Sequence, residues 1–330
     1  MSKLVHNDQT CAVQGRTIHD GILKLYNAIH YIKEHNMDAL ILSVDHKAAF
    51  DVVEWRFVFA SLKAFNFGEN FIGMIKLMYK QGKVNSSVLV NGYISEMFNV
   101  HCGIRQGCPL SGGLYCLTAE VWANFLRKTA MIQGIPLLGE NARLSKYADD
   151  TNLLLRSFLD VRRSFEIFDL YRQATGSSLA VQKTQILLLS LVSRWEIPEE
   201  YKGYIVEELK IYGVRMRASG FDLPSNWEKS DESIVKLTRA FVPYGLSAYG
   251  RIHTINIYCL CSLWFVSNII TPSVELIQRA EKIHMVSYKN KCGFAKYCLY
   301  AIRQRGARIP EHQGKNHGKQ VDYVYKKVDF

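Results

Sequence analysis

The sequence predicts an α+β fold: an antiparallel sheet flanked by segregated helices, followed by a helical C-terminal part. Three observations carry that prediction. The hydrophobic period switches in the order strand, helix, hairpin, helix, hairpin, helix, strand, which groups strands and helices rather than strictly alternating them. Two hairpins are written into local turn chemistry, one at Asn91–Gly92 and one around Ala148–Asp149–Asp150. Past Gly220 the strand signals fade, and helical patterning dominates to about Lys289.

Residues 19–35 place Ile22, Leu25, Tyr26, Ile29 and Ile32 at helical spacing, which predicts a helix with one buried face. Residues 39–44 (ALILSV) are apolar without alternation, as in a strand buried on both faces, and the run delivers Asp45 at its end. Residues 54–80 read as helix broken near Asn66–Gly68. Residues 84–90 and 93–100 flank Asn91–Gly92, a pair suited to the two positive φ angles of a type I′ turn. Residues 114–132 are helical, lined by Leu117, Val121, Ala123, Phe125 and Leu126. Residues 144–156 (LSKYADDTNLLLR) have apolar runs on both sides of a polar centre and read as the second hairpin. Residues 162–174 then read as helix and 184–190 as strand, with a boundary expected in the polar stretch 218–230.

The 330 residues carry a net charge of +11, with 48% hydrophobic and 22% charged side chains, which argues against general disorder. The charge is unevenly placed. Residues 282–330 hold eight Lys and three Arg against Glu311, Asp322 and Asp329, a net of +8, leaving +3 for the rest. Such a block suits a polyanionic partner, and equally a solvated tail. The eight cysteines show no CxxC pair, so they read as reduced thiols of an intracellular protein, nuclear or cytoplasmic and not secreted. Residues 254–274 lack charge but include Asn256, Ser262, Ser267, Asn268, Thr271 and Pro272, so a buried helix ending near Pro272 is expected rather than a membrane span.

Chemistry concentrates at Asp45, Asp149 and Asp150. Neighbouring carboxylates repel unless a cation neutralises them, and oxygen ligands suit Mg²⁺. If the strand before Asp45 pairs beside the second hairpin, three carboxylates converge. Asp-Asp alone would read as a solvated turn.

Tyr147–Ala148–Asp149–Asp150 resembles the YADD box of reverse transcriptases. Ser43–Val44–Asp45–His46–Lys47–Ala48–Ala49–Phe50–Asp51 resembles that family's first catalytic box, an Asp followed five residues later by an aromatic. Gly103–Ile104–Arg105–Gln106–Gly107–Cys108–Pro109–Leu110–Ser111 resembles the RQGCPLS box of the non-LTR, LINE-type branch. Asp8–Gln9–Thr10 with Gly15–Arg16–Thr17–Ile18 is similar to the segment upstream of the first box. Thr175–Gly176 with Lys183–Thr184 is similar to the lysine-bearing box after YADD, and Tyr212–Gly213–Val214 to the primer-side motif. Leu246–Ser247–Ala248–Tyr249–Gly250–Arg251 with Ile255–Asn256 resembles the LINE thumb.

The resemblance implies a right-hand polymerase with an antiparallel palm sheet. Residues 1–218 would be partial fingers and palm, 219–296 a helical thumb, and 297–330 a basic tail. It implies an RNA-directed DNA polymerase using two Mg²⁺ ions, with Mn²⁺ as the alternative, together with dNTP, an RNA template and a DNA primer. Asp45 and Asp149 would bridge the metals, with Asp150 contributing less directly. Phe50 would lie under the incoming sugar and leave no room for a 2′-hydroxyl. Gln106 and Gly107 would lie against the nascent base pair. Arg16 would touch phosphate or template, and Lys183 would protonate the departing pyrophosphate. Arg105, Tyr147, Arg239 and Arg251 would contact nucleic acid. Read without the family, Phe50 would be a core aromatic, and Arg16 and Lys183 exposed structural cations.

The sequence departs from the pattern in places. The match begins close to Met1 without the usual basic fingers block, which gives the expectation of an N-terminally truncated copy. Gly112 stands where Pro usually follows PLS, Ala180 where Asn usually stands, and Ala48 where a cation usually stands. The alternative class is a catalytically silent element remnant that only binds nucleic acid. A group II intron maturase is disfavoured by the LINE-style boxes, and an RNA-dependent RNA polymerase by Phe50.

Overall fold

The computed structural model describes residues 1–80, 84–137, 139–189, 196–221, 224–241, 244–247, 250, 253–254, 257–258, 260–276 and 278. The chain forms two compact units, Met1–Ser233 and a second beginning at Ile234.

The first unit is built on a four-stranded antiparallel sheet. Its strands are β1 (Leu40–Val44), β9 (Leu144–Tyr147), β10 (Asp150–Leu155) and β12 (Gln185–Leu188), in the order β12-β1-β10-β9. The centre of β1 is fully buried, which explains the apolar run without alternation, since both faces of the sheet are covered. On one face Leu40, Leu42 and Val44 pack with Leu153, Leu155, Leu144 and Ile186. That cluster is completed by α4 (Ser111–Lys128) through Trp122, Ala123 and Leu126, and by α5 (Phe158–Thr175) through Val161, Phe168 and Tyr171. α1 (Ile18–Glu34), with Ile22, Leu25, Ile29 and Ile32 buried, packs along β9.

A second apolar cluster joins the N-terminal turn to α2 (Trp55–Ala64), α3 (Glu69–Met78) and the start of α4, through Val5, Val58, Leu62, Ile72, Ile75 and Leu114. The break expected near Asn66–Gly68 separates α2 from α3, with Asn66 at φ 59°. The Asn91–Gly92 turn is also as expected, at φ 50° and 85°, joining β4 (Leu89–Val90) to β5 (Tyr93–Ile94). Its strands are shorter than the sequence implied, however, and Leu89, Tyr93 and Ile94 are exposed, so the hairpin projects from the core rather than lining it. β3 (Asn85–Ser86) and β6 (Phe98–Asn99) pair at its base. Two hairpins were not anticipated: β7 (Ile135–Leu137) with β8 (Glu140–Ala142), and β13 (Glu208–Ile211) with β14 (Val214–Arg217). Both use strands of three or four residues, with at most three apolar side chains each, too few for a clear period.

The boundary between the units falls within α6 (Ser225–Phe241). In the second unit α7 (Cys261–Ser267) lies in the uncharged stretch, with Leu263 and Val266 buried. Among the described residues no helix is long and apolar enough to cross a membrane. Arg251 and the expected tail 297–330 lie outside the described residues.

Candidate active site

β1 runs through the core and ends at Val44, so Asp45 emerges at the sheet's rim, its side chain 23% exposed. Just beyond, β2 (His46–Lys47) pairs with β11 (Ser178–Leu179). That pairing brings the following turn back to Asp45, whose main-chain oxygen accepts from the Ala180 N–H at 2.8 Å. A short 3-10 turn, Val181–Lys183, then places the Lys183 ammonium 2.5 Å from Asp45 Oδ2. Ala180 itself meets Asp45 through its main chain and not through its side chain.

The second hairpin meets Asp45 through strand register. β1 and β10 are antiparallel with Val44 opposite Thr151, so the next step sets Asp45 opposite Asp150. β9 and β10 close with Tyr147 opposite Asp150, leaving Ala148 and Asp149 as the turn. Ala148 sits at φ 54°, a left-handed conformation that costs a side-chain-bearing residue energy. Thr151 Oγ1 donates to the Asp149 carbonyl at 3.1 Å. Burial raises the Asp150 carboxyl above its usual pKa, and the charges of Asp149 and Asp45 push it the same way against Lys183. Conversely, the bond to Asp45 holds the Lys183 ammonium more firmly protonated than usual, helped by the charges of Asp45, Asp150 and Asp149.

Beside this cluster lie the residues expected to face the nucleotide. Phe50 stacks on Tyr115 with ring centroids 4.3 Å apart and planes inclined by 23°. The loop before α4 is tied to the turn after β2: the Gly103 N–H donates to Val53 O at 2.8 Å and the Ile104 N–H to Phe50 O at 2.6 Å. Trp55 Nε1 donates to Gly103 O at 2.8 Å. Gln106 is exposed, and its amide donates to Asp51 Oδ1 at 3.2 Å. Gly107 has φ +83° and open space where a Cβ would stand. Arg105 is exposed, while its main-chain oxygen accepts from the Ser111 hydroxyl. Tyr147 packs edge-on against Tyr212 at 6.1 Å.

Arg16 stands differently from the expectation. Its guanidinium donates to the carbonyls of His6, Gln9, Val5 and Ser2, at 2.6 to 3.3 Å, and so staples the N-terminal turn. Spacing in the sequence does not separate that role from a phosphate contact. Arg239 is exposed on α6 in the second unit, and Arg251 lies outside the described residues.

Several residues behind the site were assigned no chemical role from the sequence, although Asp8 and Gln9 lie in one of the segments that carry the resemblance. Gln9, 1% exposed, accepts from the Ala148 N–H at 3.1 Å and the Cys11 N–H at 3.0 Å, and donates to Ala148 O at 3.4 Å. Segment 8–10 lies along β9: the Lys146 N–H donates to Asp8 O at 2.7 Å, and the Thr10 N–H to Lys146 O at 3.0 Å. Arg127 forks onto both Asp8 oxygens, at 2.8 and 2.9 Å, and also reaches Glu120. Lys146 is fully buried, its ammonium 4.7 Å from the Trp122 ring centre without a hydrogen-bond partner, and burial brings its pKa down to about 8. His46 is buried against Trp122 and Phe168, and burial drives its pKa to about 3, so it is neutral. Polar residues scattered over Asp8, Glu120, Arg127 and Lys146 have no fixed spacing, and only folding brings them together.

Crowded carboxylates with the Asp150 carboxyl raised by its neighbours are the donor chemistry that a hard divalent cation relieves. Among the described residues no three His, Cys, Asp or Glu groups close into a ready metal cage, and the Lys183 ammonium occupies Asp45.

Residues 1–220 match the family model described as reverse transcriptase (RNA-dependent DNA polymerase). Over 288 residues the chain is 28% identical to the uncharacterized 149 kDa protein of transposon TX1 from Xenopus laevis, covering 86% of this chain and 22% of that protein. Among solved structures it resembles telomerase from Candida tropicalis in complex with the TWJ fragment of telomeric RNA. The TM-score is 0.51 at 10% identity, over 94% of this chain and 53% of that one, a likeness of fold alone. The chain thus spans about a fifth of the transposon protein's length and about half of the telomerase chain's.

Proposed function

The chain belongs to the reverse transcriptase (RNA-dependent DNA polymerase) family, and from that premise we propose that it is the polymerase core of a non-LTR, LINE-type element. It would join dNTPs to the 3′-hydroxyl of a DNA primer on an RNA template. The observation that carries this reading is the strand register that sets Asp45 opposite Asp150, at the turn bearing Asp149, inside the matched region.

Bound Mg²⁺ ions would stabilise both the attacking and the leaving oxygen of an in-line phosphoryl transfer. Asp45 and Asp149 are the residues to hold them, with Asp150 adding charge from its neighbouring position. Lys183, kept protonated by the carboxylates, offers a proton and a positive charge to the departing pyrophosphate once it leaves Asp45. Phe50, braced by Tyr115, presents the ring that would exclude a 2′-hydroxyl. Gln106, Gly107 and Arg105 lie exposed on the adjoining loop, where a base pair and the template backbone could reach them. Residues 1–218 would serve as partial fingers and palm, 219–296 as thumb, and 297–330 as a basic tail on the nucleic-acid backbone. The RNA named with the Candida tropicalis telomerase is in keeping with a nucleic-acid partner here.

The test is Mg²⁺-dependent extension of a DNA primer on an RNA template by the purified chain and by Asp149→Ala. Loss of a metal ligand removes several kcal/mol of transition-state stabilisation, so the variant should lose on the order of a thousandfold or more. Absence of extension by the wild type, with RNA binding kept, would instead mark a silent remnant.

A further inference from the structure

We infer that Gln9 is a positioning residue for the polymerase reaction: its buried amide holds the left-handed Ala148 turn and thereby aims Asp149. The inference rests on the function proposed above and goes beyond it, because Gln9 lies 140 positions upstream in the sequence and touches none of the reacting groups itself.

The turn has a mechanical problem. Asp149 stands in a two-residue connection between β9 and β10, and the residue before it, Ala148, is left-handed at φ 54° without the freedom of a glycine. A residue in that region persists only when its surroundings over-determine it. The cross-strand ladder covers Tyr147 and Asp150 but not the two residues between them. Ala148 therefore has a main-chain N–H and a main-chain oxygen at the tip, and both are buried from water with the side chain.

Gln9 meets both. Its Oε1 accepts from the Ala148 N–H at 3.1 Å, and its Nε2 donates to Ala148 O at 3.4 Å, so one planar amide grips the peptide groups on either side of the strained residue. The same Oε1 accepts from the Cys11 N–H at 3.0 Å, which fixes the amide's orientation. Gln9 is itself anchored. Segment 8–10 bonds to Lys146 from both sides, Arg127 forks onto Asp8, and Arg16 donates to Gln9 O at 2.8 Å. Hydrogen bonds from Arg16 to the Gln9 main chain and from Arg127 to its neighbour Asp8 thus brace the residue whose side chain grips Ala148, one residue from Asp149. A carboxylate displaced by an ångström costs an in-line transfer far more than it costs folding.

Two isosteric variants read this out. Gln9→Met keeps the length and apolar packing but has neither oxygen nor N–H, whereas Gln9→Glu keeps acceptors for the Ala148 and Cys11 N–H groups. In primer extension, Gln9→Met should lower kcat by about ten- to a hundredfold and raise the Mg²⁺ concentration for half-maximal rate, with the dNTP KM within about twofold. Gln9→Glu, which loses the donor to Ala148 O and buries a charge, should recover only part of that loss. A purely structural role would lower the melting temperature and the active fraction while leaving the Mg²⁺ requirement unmoved. Hydrogen exchange supplies a second readout that needs no activity: the Ala148 amide should lose at least about tenfold in protection in Gln9→Met, while the Leu153 and Leu154 amides keep theirs. Unchanged Ala148 protection overturns the inference whether or not the chain polymerises. An active wild type with an unaltered Gln9→Met rate and Mg²⁺ requirement overturns it too. Lost protection at Ala148 in a chain that extends no primer would leave the clamp standing and remove the polymerase reading instead.

Discussion

At the scale of single residues, the palm carries a charge it has no obvious use for. Lys146 is completely buried on β9 just before the Ala148–Asp149 turn, and its ammonium finds only the face of Trp122. Arg127 already pairs with both Asp8 and Glu120, so the buried carboxylates do not depend on Lys146 for their partner. Desolvation is the largest influence on Lys146, and the attraction of Glu120, Cys116 and Asp8 offsets it only in part. The folded-state pKa of about 8 lies below the ordinary 10.5, so the unfolded chain binds the extra proton between those values and stability rises with pH there. Lys146→Met should therefore stabilise the protein at pH 7, by roughly 1–3 kcal/mol, and the advantage should shrink between about pH 8 and 10.5. Thermal melts of both proteins across that range check it. A variant less stable than wild type at pH 7 would show that the ammonium is needed by Glu120 or Asp8.

At the scale of elements, the site depends on two segments being tied at fixed register. The turn after β2 with the start of α2, from Phe50 to Trp55, and the loop of Gly103 to Gln106 are joined by four main-chain and side-chain bonds. They approach so closely that a Cβ on Gly103 would meet Asp51 O at 2.6 Å, and Gly103 has φ +91°. Gly103→Ala should accordingly cost about 2 kcal/mol or more in urea denaturation, since both the clash and the positive φ oppose it. The order and type of the long elements were legible in the sequence, because α1, α4 and α5 bury enough apolar residues to impose a helical period and β1 is a short unbroken apolar run. The hairpins β7–β8 and β13–β14 were not, because three or four residues per strand are too few to show one. The Asn91–Gly92 hairpin was located by its turn, yet its exposure was not, since turn chemistry fixes a reversal and says nothing about what covers it.

At the scale of the whole molecule, charge is the property that survives averaging. Residues 282–330 hold a net +8 of the chain's +11. If that block lies along a phosphate backbone, the affinity for an RNA–DNA hybrid should fall steeply with salt. Neutralising its Lys and Arg to Gln should then flatten the slope of log K against log salt by several units, up to about 6. Fluorescence anisotropy between 50 and 200 mM salt, spans over which such slopes are resolved, would decide it. A slope that does not change would make the block a solvated tail.

The fold class, the order of the main elements and the standing of Asp45, Asp149, Asp150 and Phe50 as chemical candidates can all be read along the chain. Each of these is encoded locally, in a hydrophobic period, a turn pair or a contiguous box. Tertiary structure alone decided how those candidates are held. The register of β1 on β10 sets Asp45 opposite Asp150, and β2 on β11 delivers Lys183 to Asp45. Gln9 crosses to grip Ala148, while Arg16 turns to its own carbonyls. The motifs bring Gln9, Arg16 and Lys183 to notice but not these partners, because a hydrogen bond between residues 10 or 139 positions apart depends on distance and direction in space, which spacing along the chain does not record.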